Sequence, residues 1–161
     1  MFVHARNATV TAAESLAHLA HENNESSLFL NLQMELPGYS DALNKVQLSR
    51  NKILHKLFTK GIGIHHAGLL RKDRTMMERM FAAGMIRVLC CTSTLAWGVN
   101  LPAHAVVIKG TQYYDAKQGS FVDLGILDVM QIFGRAGRPQ FDTTGEATII
   151  TTHDKLSRSV V

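Results

Sequence analysis

A chain of 161 residues has room for one domain of ordinary size. Its composition, 46% hydrophobic and 19% charged, is globular and excludes a disordered tail, a collagen-like repeat and a coiled coil. Seventeen Lys and Arg against thirteen Asp and Glu leave a formal charge of +4, which permits a nucleic-acid partner without demanding one.

No apolar run approaches the roughly 18 residues that cross a bilayer. The opening MFVHARNATV lacks a basic stretch followed by a long apolar one, so neither a signal peptide nor a membrane partner is expected. Cys90 and Cys91 are adjacent, and neighbours on a strand face opposite ways. With no CxxC spacing, no disulfide framework and no metal site are expected, and a reducing intracellular compartment fits.

The first element is Phe2–His4, read as a strand fragment shorter than the roughly five or six residues of a typical strand, and so cut at its front. Asn7 to His21 is an alanine-rich helix with Val10, Ala13, Leu16, Ala17 and Ala20 on one stripe and Thr11 with Glu14 as a capping box. Glu22–Asn44 reads as an irregular insertion. Lys45–Lys60 returns to helical spacing, with Val46, Ile53, Leu54, Leu57 and Phe58 on one side. A strand follows at Ile62–His65, then a helix over Lys72–Ala83 opened by Asp73. Met85–Cys91 and Ala105–Lys109 are strands. Gly110–Val122 reads as a hairpin turning near Ala116–Gly119. Asp123 is expected to cap a helix running to about Arg135, and Gly145–Thr152 is a last strand. Strands alternating with helices predict a single α/β domain over residues 1–161, a parallel sheet flanked by helices with an inserted hairpin.

The chain has no GxxxxGK[ST] loop and no strand ending in DExH-type carboxylates. Taken alone, it is not expected to bind and hydrolyse a nucleoside triphosphate. Its sharpest feature is Gln131-Ile-Phe-Gly134-Arg135-Ala-Gly137-Arg138-Pro139. If the helix continues, Gln131, Arg135 and Arg138 share a face. Gly134 and Gly137 let another surface approach the backbone. Two guanidinium groups aimed across a cleft suit phosphoryl transfer, where charge grows on the transferred oxygens. An arginine finger supplied from a separate domain is worth about 10³–10⁵ in rate. The plainer alternative is a solvated basic helix end.

Other residues carry two readings each. Thr92 and Thr94 follow a strand, where hydroxyls suit phosphate contact or helix capping. Asn100, beside Gly98, suits a ribose hydroxyl or a turn before Leu101-Pro102. Trp97 suits stacking on a base or a place in the core, and the core is expected. His65 and His66 face opposite ways, which disfavours joint metal binding. His18 and His21 have ligand spacing but no acidic or cysteine companions, and read as a solvated face. On the hairpin, Tyr113, Tyr114 and Phe121 pack across the strands or wedge between bases, and Lys117 sits near the tip. Arg71, Lys72 and Arg74 flank a helix start, as phosphate contacts or as a solvated face.

QIFGRAGRP resembles motif VI of superfamily-two DExH helicases, and Phe2-Val3-His4-Ala5-Arg6 resembles their motif IV. His65-His66-Ala67-Gly68 resembles motif IVa, and Thr92 to Ala103 resembles motif V of the superkiller-type branch. Glu22–Asn44 and Ser157–Val161 depart from that pattern. The resemblance implies a second RecA-like domain of an ATP-dependent 3′-to-5′ helicase, working in nucleus and cytosol. It implies that Arg135 and Arg138 reach the γ-phosphate, with Gln131 near the attacking water and Gly98, Asn100 and Gly134 on the nucleotide side. It places His66, Gly68, Thr92 and Thr94 by the nucleic-acid backbone, and makes the hairpin a strand separator. The implied cofactor is ATP with Mg²⁺, held mainly by a first RecA-like domain outside this chain. The implied partners are that domain, single-stranded or tailed duplex DNA or RNA, and the other subunits of a cointegrator-type complex. A second reading is a truncated module that binds nucleic acid or docks on a partner without turnover of its own.

Overall fold

An alanine stripe builds the first helix. In the computed structural model, which describes residues 1–30 and 33–153, α1 spans Arg6–Glu22 and buries Ala12, Ala13, Ala17 and Ala20. It starts before the expected cap. The Thr11 hydroxyl donates to the Asn7 carbonyl at 3.1 Å, inside the helix, and Glu14 pairs with Lys56 at 2.7 Å. Thr11 and Glu14 therefore form no capping box.

The chain divides into two units, Arg6–Cys91 and Met1–Ala5 with the chain from Thr92 onward. In the first, the segment expected to be irregular holds α2 (Ser26–Leu30), a 3₁₀ turn (Gln33–Glu35) and the start of α3 (Tyr39–Gln47). Tyr39, Ala42 and Val46 fall on the buried side of α3, and Tyr39 stacks on Phe58 with ring centroids 5.2 Å apart. The one helix expected over Lys45–Lys60 is two, α3 and α4 (Lys52–Phe58). Ser49 breaks it. Its buried hydroxyl donates to Asp73 Oδ1 at 3.1 Å and accepts from the Asn51 N–H at 3.1 Å. Asn51 then caps α4 by accepting from the Ile53 N–H.

Strand β1 (Ile62–His65) is wholly buried, as a parallel strand in an α/β unit must be. Helix α5 (Arg71–Ala82) follows, and then β2 (Val88–Cys91), shorter at its start than expected. β1 and β2 pair in parallel from Ile62↔Val88 to His65↔Cys91. Asp73, expected to cap α5, is buried and engaged by Ser49 instead. Burial pushes the Cys91 thiol up to about 12, so it stays protonated at neutral pH.

In the second unit, Phe2 makes a single parallel bridge to Ile108, with the Phe2 N–H donating to the Val107 carbonyl at 2.7 Å. Helix α6 (Thr94–Gly98) precedes β3 (Ala105–Lys109). Strands β4 (Gln112–Asp115) and β5 (Ser120–Asp123) form the expected antiparallel hairpin, from Gln112↔Asp123 to Asp115↔Ser120. Asp123 ends β5 and accepts from Gln112 Nε2 at 2.7 Å, so it caps no helix. Helix α7 (Ile126–Phe133) begins after Gly125 and stops at Gly134. Strand β6 (Glu146–Ile150) then pairs in parallel with β3, from Ala105↔Glu146 to Lys109↔Ile150. Among the described residues no helix is long and apolar enough to cross a membrane. Ser157–Val161 lies outside the described residues.

Candidate functional site

The arginines do not share a helix face, because α7 ends before both of them and before Pro139. They hang instead from a backbone junction between the two strongest sequence motifs. The Ala103 N–H donates to the Arg135 carbonyl at 2.9 Å, and the Gly137 N–H donates to the Ala103 carbonyl at 2.7 Å. These bonds make a parallel bridge between Ala103 and Ala136. Two glycines permit it. Gly137 adopts φ +86°, a left-handed value that L side chains rarely take. A Cβ on Gly145 would lie 2.5 Å from Gly137 N, closer than any real contact.

Arg135 ties the junction together through its side chain. Its Nη1 donates to Asn100 Oδ1 at 3.0 Å, and its Nη2 donates to the Ala96 carbonyl. The guanidinium thus joins α6 to the loop after α7. Asn100 acts here as an acceptor for an arginine. Gly98 closes α6 with open space where a Cβ would stand, and Gly134 holds an ordinary helical φ of −61° as the cap of α7. Gln131 is exposed on α7.

Arg138 is held differently. Its Nε donates to Asp142 Oδ2 at 2.8 Å and its Nη2 to Oδ1 at 3.0 Å, a two-point fork, while its backbone N–H donates to Oδ2 at 2.9 Å. His104 Nδ1 lies 3.3 Å from Oδ1. The Asp142 side chain is 8% exposed and that of Arg138 46%. Their hydrogen bond raises the Arg138 pKa and holds the Asp142 carboxyl far below the usual carboxylate range. A guanidinium has five N–H donors. The fork uses Nε and Nη2, and among the described residues no hydrogen bond engages Nη1. Phe141 stacks its ring 5.5 Å from the guanidinium carbon.

Nearby, the Thr92 and Thr94 hydroxyls share a hydrogen bond at 2.9 Å, and Ser93, not Thr94, stands at the cap position of α6. Trp97 is 57% exposed, against the expectation of a core residue. Leu95 and Ala96 take the buried side of this short helix and leave Trp97 on the other. On the hairpin, Tyr114 and Phe121 pack edge to face with centroids 5.5 Å apart, while both rings stay exposed. Tyr113 is half-buried and Lys117 is exposed in the turn.

The unit Arg6–Cys91 carries the remaining candidates. His65 is buried and donates from Nε2 to Glu78 Oε1 at 2.7 Å, which fixes β1 to α5. His66 follows the end of β1, and its Nδ1 accepts from the Gly68 N–H at 3.1 Å. Partial burial, then the positive charges of Arg6, His65 and Arg74, lower its pKa below the ordinary value of 6.5. Arg74 Nη1 donates to the Ala67 carbonyl at 3.1 Å, so this arginine builds the loop. His18 is exposed and 3.4 Å from Glu22. Among the described residues no three His, Cys, Asp or Glu side chains gather to hold a metal ion.

Sequence reasoning missed Asp142, His104, Phe141 and Gly145. Asp142 stands four residues after Arg138, a spacing visible in the sequence, but beyond a proline that signals chain breaking. Gly145 carried no signal, because its need arises only when β6 passes beside Gly137.

Residues 12–140 match the family described as the helicase conserved C-terminal domain. The chain belongs to that family, and its parallel strand pairs with their helices are those of a RecA-like α/β fold. Among individual proteins, it is similar to activating signal cointegrator 1 complex subunit 3 of Mus musculus, 66% identical over 157 residues. It is likewise similar to the Homo sapiens protein of that name, 63% identical over 157 residues. DExH-box ATP-dependent RNA helicase DExH14 of Arabidopsis thaliana is 59% identical over 157 residues. Each match covers 98% of this chain and 7% of the relative, so the chain spans a small part of their length.

Proposed function

We propose that this chain is the second RecA-like half of an ATP-dependent 3′-to-5′ nucleic-acid helicase, cut from or acting with a protein like the cointegrator subunit. The observation that carries this reading is the junction at Ala103 and Ala136, which fastens both arginines to one rigid support. Arg135 is the strut of that support. Arg138 is the finger. Asp142 orients its guanidinium and leaves the outer edge free for a phosphate oxygen of ATP bound on the facing domain. Rigid placement matters because such a group helps only if it is aimed before charge develops. Gln131 lies one turn back on α7, on the side assigned to the attacking water.

Mg²⁺ is assigned to the first RecA-like domain, as the resemblance to DExH helicases implies. The same division assigns the phosphate cradle to the first RecA-like domain, since no GxxxxGK[ST] loop occurs here. Alone, the chain is inactive. His66 and Gly68 in the one unit are nucleic-acid backbone contacts, and so are Thr92 and Thr94 in the other. The exposed Tyr114 and Phe121, with Lys117 at the turn, stand where the duplex splits. Closure on ATP and reopening after hydrolysis move these contacts along the strand. Partners are the first RecA-like domain, tailed duplex DNA or RNA, and subunits of a cointegrator-type complex, in nucleus and cytosol.

A chimera tests this reading. The mouse relative carries this chain in place of its matching segment, and ATP-driven unwinding of a 3′-tailed duplex is followed by fluorescence. Unwinding is expected to persist. Replacing Tyr114 and Phe121 with Ser is expected to abolish it while nucleic-acid-stimulated ATP hydrolysis continues. Unchanged unwinding in that double variant removes the hairpin from the mechanism.

A further inference from the structure

Helices α3 and α5 leave an open groove of about 710 Å³ between them, lying wholly within Arg6–Cys91. Its floor is apolar, formed by Ala42, Met76, Met80, Ala83 and Met85. Its rim is basic, with Lys45 on α3 and Arg71, Lys72 and Arg79 on α5. Among the described residues no carboxylate lines it. All four cations are exposed, and none makes an ion pair among the described residues. Arg71 and Lys72 also stand in the first turn of α5, where positive charge opposes the helix dipole. The carboxylate of that turn, Asp73, is buried and accepts from Ser49. The groove thus has a basic rim around an apolar trough.

We propose that this groove docks an acidic amphipathic helix of a protein partner, its apolar side chains on the methionine floor and its carboxylates on the basic rim. The volume is that of a specific binding site rather than a surface dimple. Charge complementarity selects an acidic occupant, and Arg71 and Arg79 can each take a carboxylate with two hydrogen bonds. The floor selects a peptide over a nucleic acid, because phosphates over apolar carbon lose hydration without return. Methionines adapt to varied apolar side chains, which suits a helix-in-groove contact. The groove shares no residue with the arginine junction or the hairpin, and its existence does not depend on helicase action.

The test is a titration of the chain, labelled at its methionine methyls, with a synthetic peptide of roughly 15 residues, long enough to be helical. The peptide repeats Leu at i, i+3, i+4 and i+7 with Glu between. The methyls of Met76, Met80 and Met85 are expected to shift and saturate at micromolar peptide, roughly −8 kcal/mol of binding, while Met130 stays still. Lys72→Glu combined with Arg79→Glu is expected to weaken binding at least about tenfold. Ala83→Trp, which fills the floor without changing charge, is expected to weaken it as much. Thermal melts establish that each variant is folded. The proposal is overturned if no groove methyl moves at millimolar peptide, or if a scrambled peptide of the same charge binds as tightly. It is also overturned if single-stranded oligo(dT) moves the same methyls at lower concentration than the peptide.

Discussion

Asp142 decides where the Arg138 guanidinium points. Its carboxylate takes three hydrogen bonds from one residue, and its side chain is shielded while the guanidinium reaches outward. Asp142→Asn keeps the shape but removes the charge. It is expected to lower ATP turnover of the assembled helicase at least about tenfold, roughly 1.4 kcal/mol of barrier, with substrate affinity little changed. A fall in affinity with turnover intact contradicts a positioning role. His66 supplies a second residue-scale test. Its lowered pKa means the folded chain binds this proton less readily than the unfolded one. Its contribution to stability is therefore full above the ordinary 6.5 and is lost as pH falls from there through the folded value. An imidazole NMR titration is expected to put His66 below 6.5, and a midpoint at or above that value contradicts its present surroundings.

At the scale of elements, the loop after α7 depends on close backbone passage at Gly145. Gly145→Val is expected to destabilise the chain by about 1–3 kcal/mol in urea unfolding, because the backbone of Gly137 cannot move aside without breaking the bridge. Gly98→Ala is the control. It meets open space at a helix end and is expected to be neutral or stabilising by up to about 1 kcal/mol. Equal losses from both substitutions contradict the packing account. The elements also mark what a sequence can disclose. The alanine stripe of α1 and the hairpin were legible, since each rests on local spacing. The break between α3 and α4 was not, because Ser49 is committed to Asp73, 24 residues away. Asp123 and Asp73 both carry a cap's chemistry, yet each answers a partner distant in sequence. Trp97 was misjudged for a related reason, as five residues of helix leave little room to read a buried face. The motifs announced the two arginines, but not their different partners. Arg135 meets Asn100 across 35 residues, a contact only the folded junction creates.

The chain spans 7% of the length of its mouse relative. Its second unit leaves Ile126, Leu127, Met130 and Phe141 exposed, each at more than half of its possible surface. Such apolar surface suits a domain that works against another. In the proposed function, this chain supplies a finger to an ATP site built elsewhere. The direct measurement is nucleic-acid-stimulated ATP hydrolysis by the separately expressed first RecA-like domain of the mouse relative, with and without this chain. Addition of the chain is expected to raise turnover, and Arg138→Ala is expected to remove most of a gain of about 10³ or more. No gain from a chain that demonstrably docks, or a gain that survives Arg138→Ala, contradicts the account.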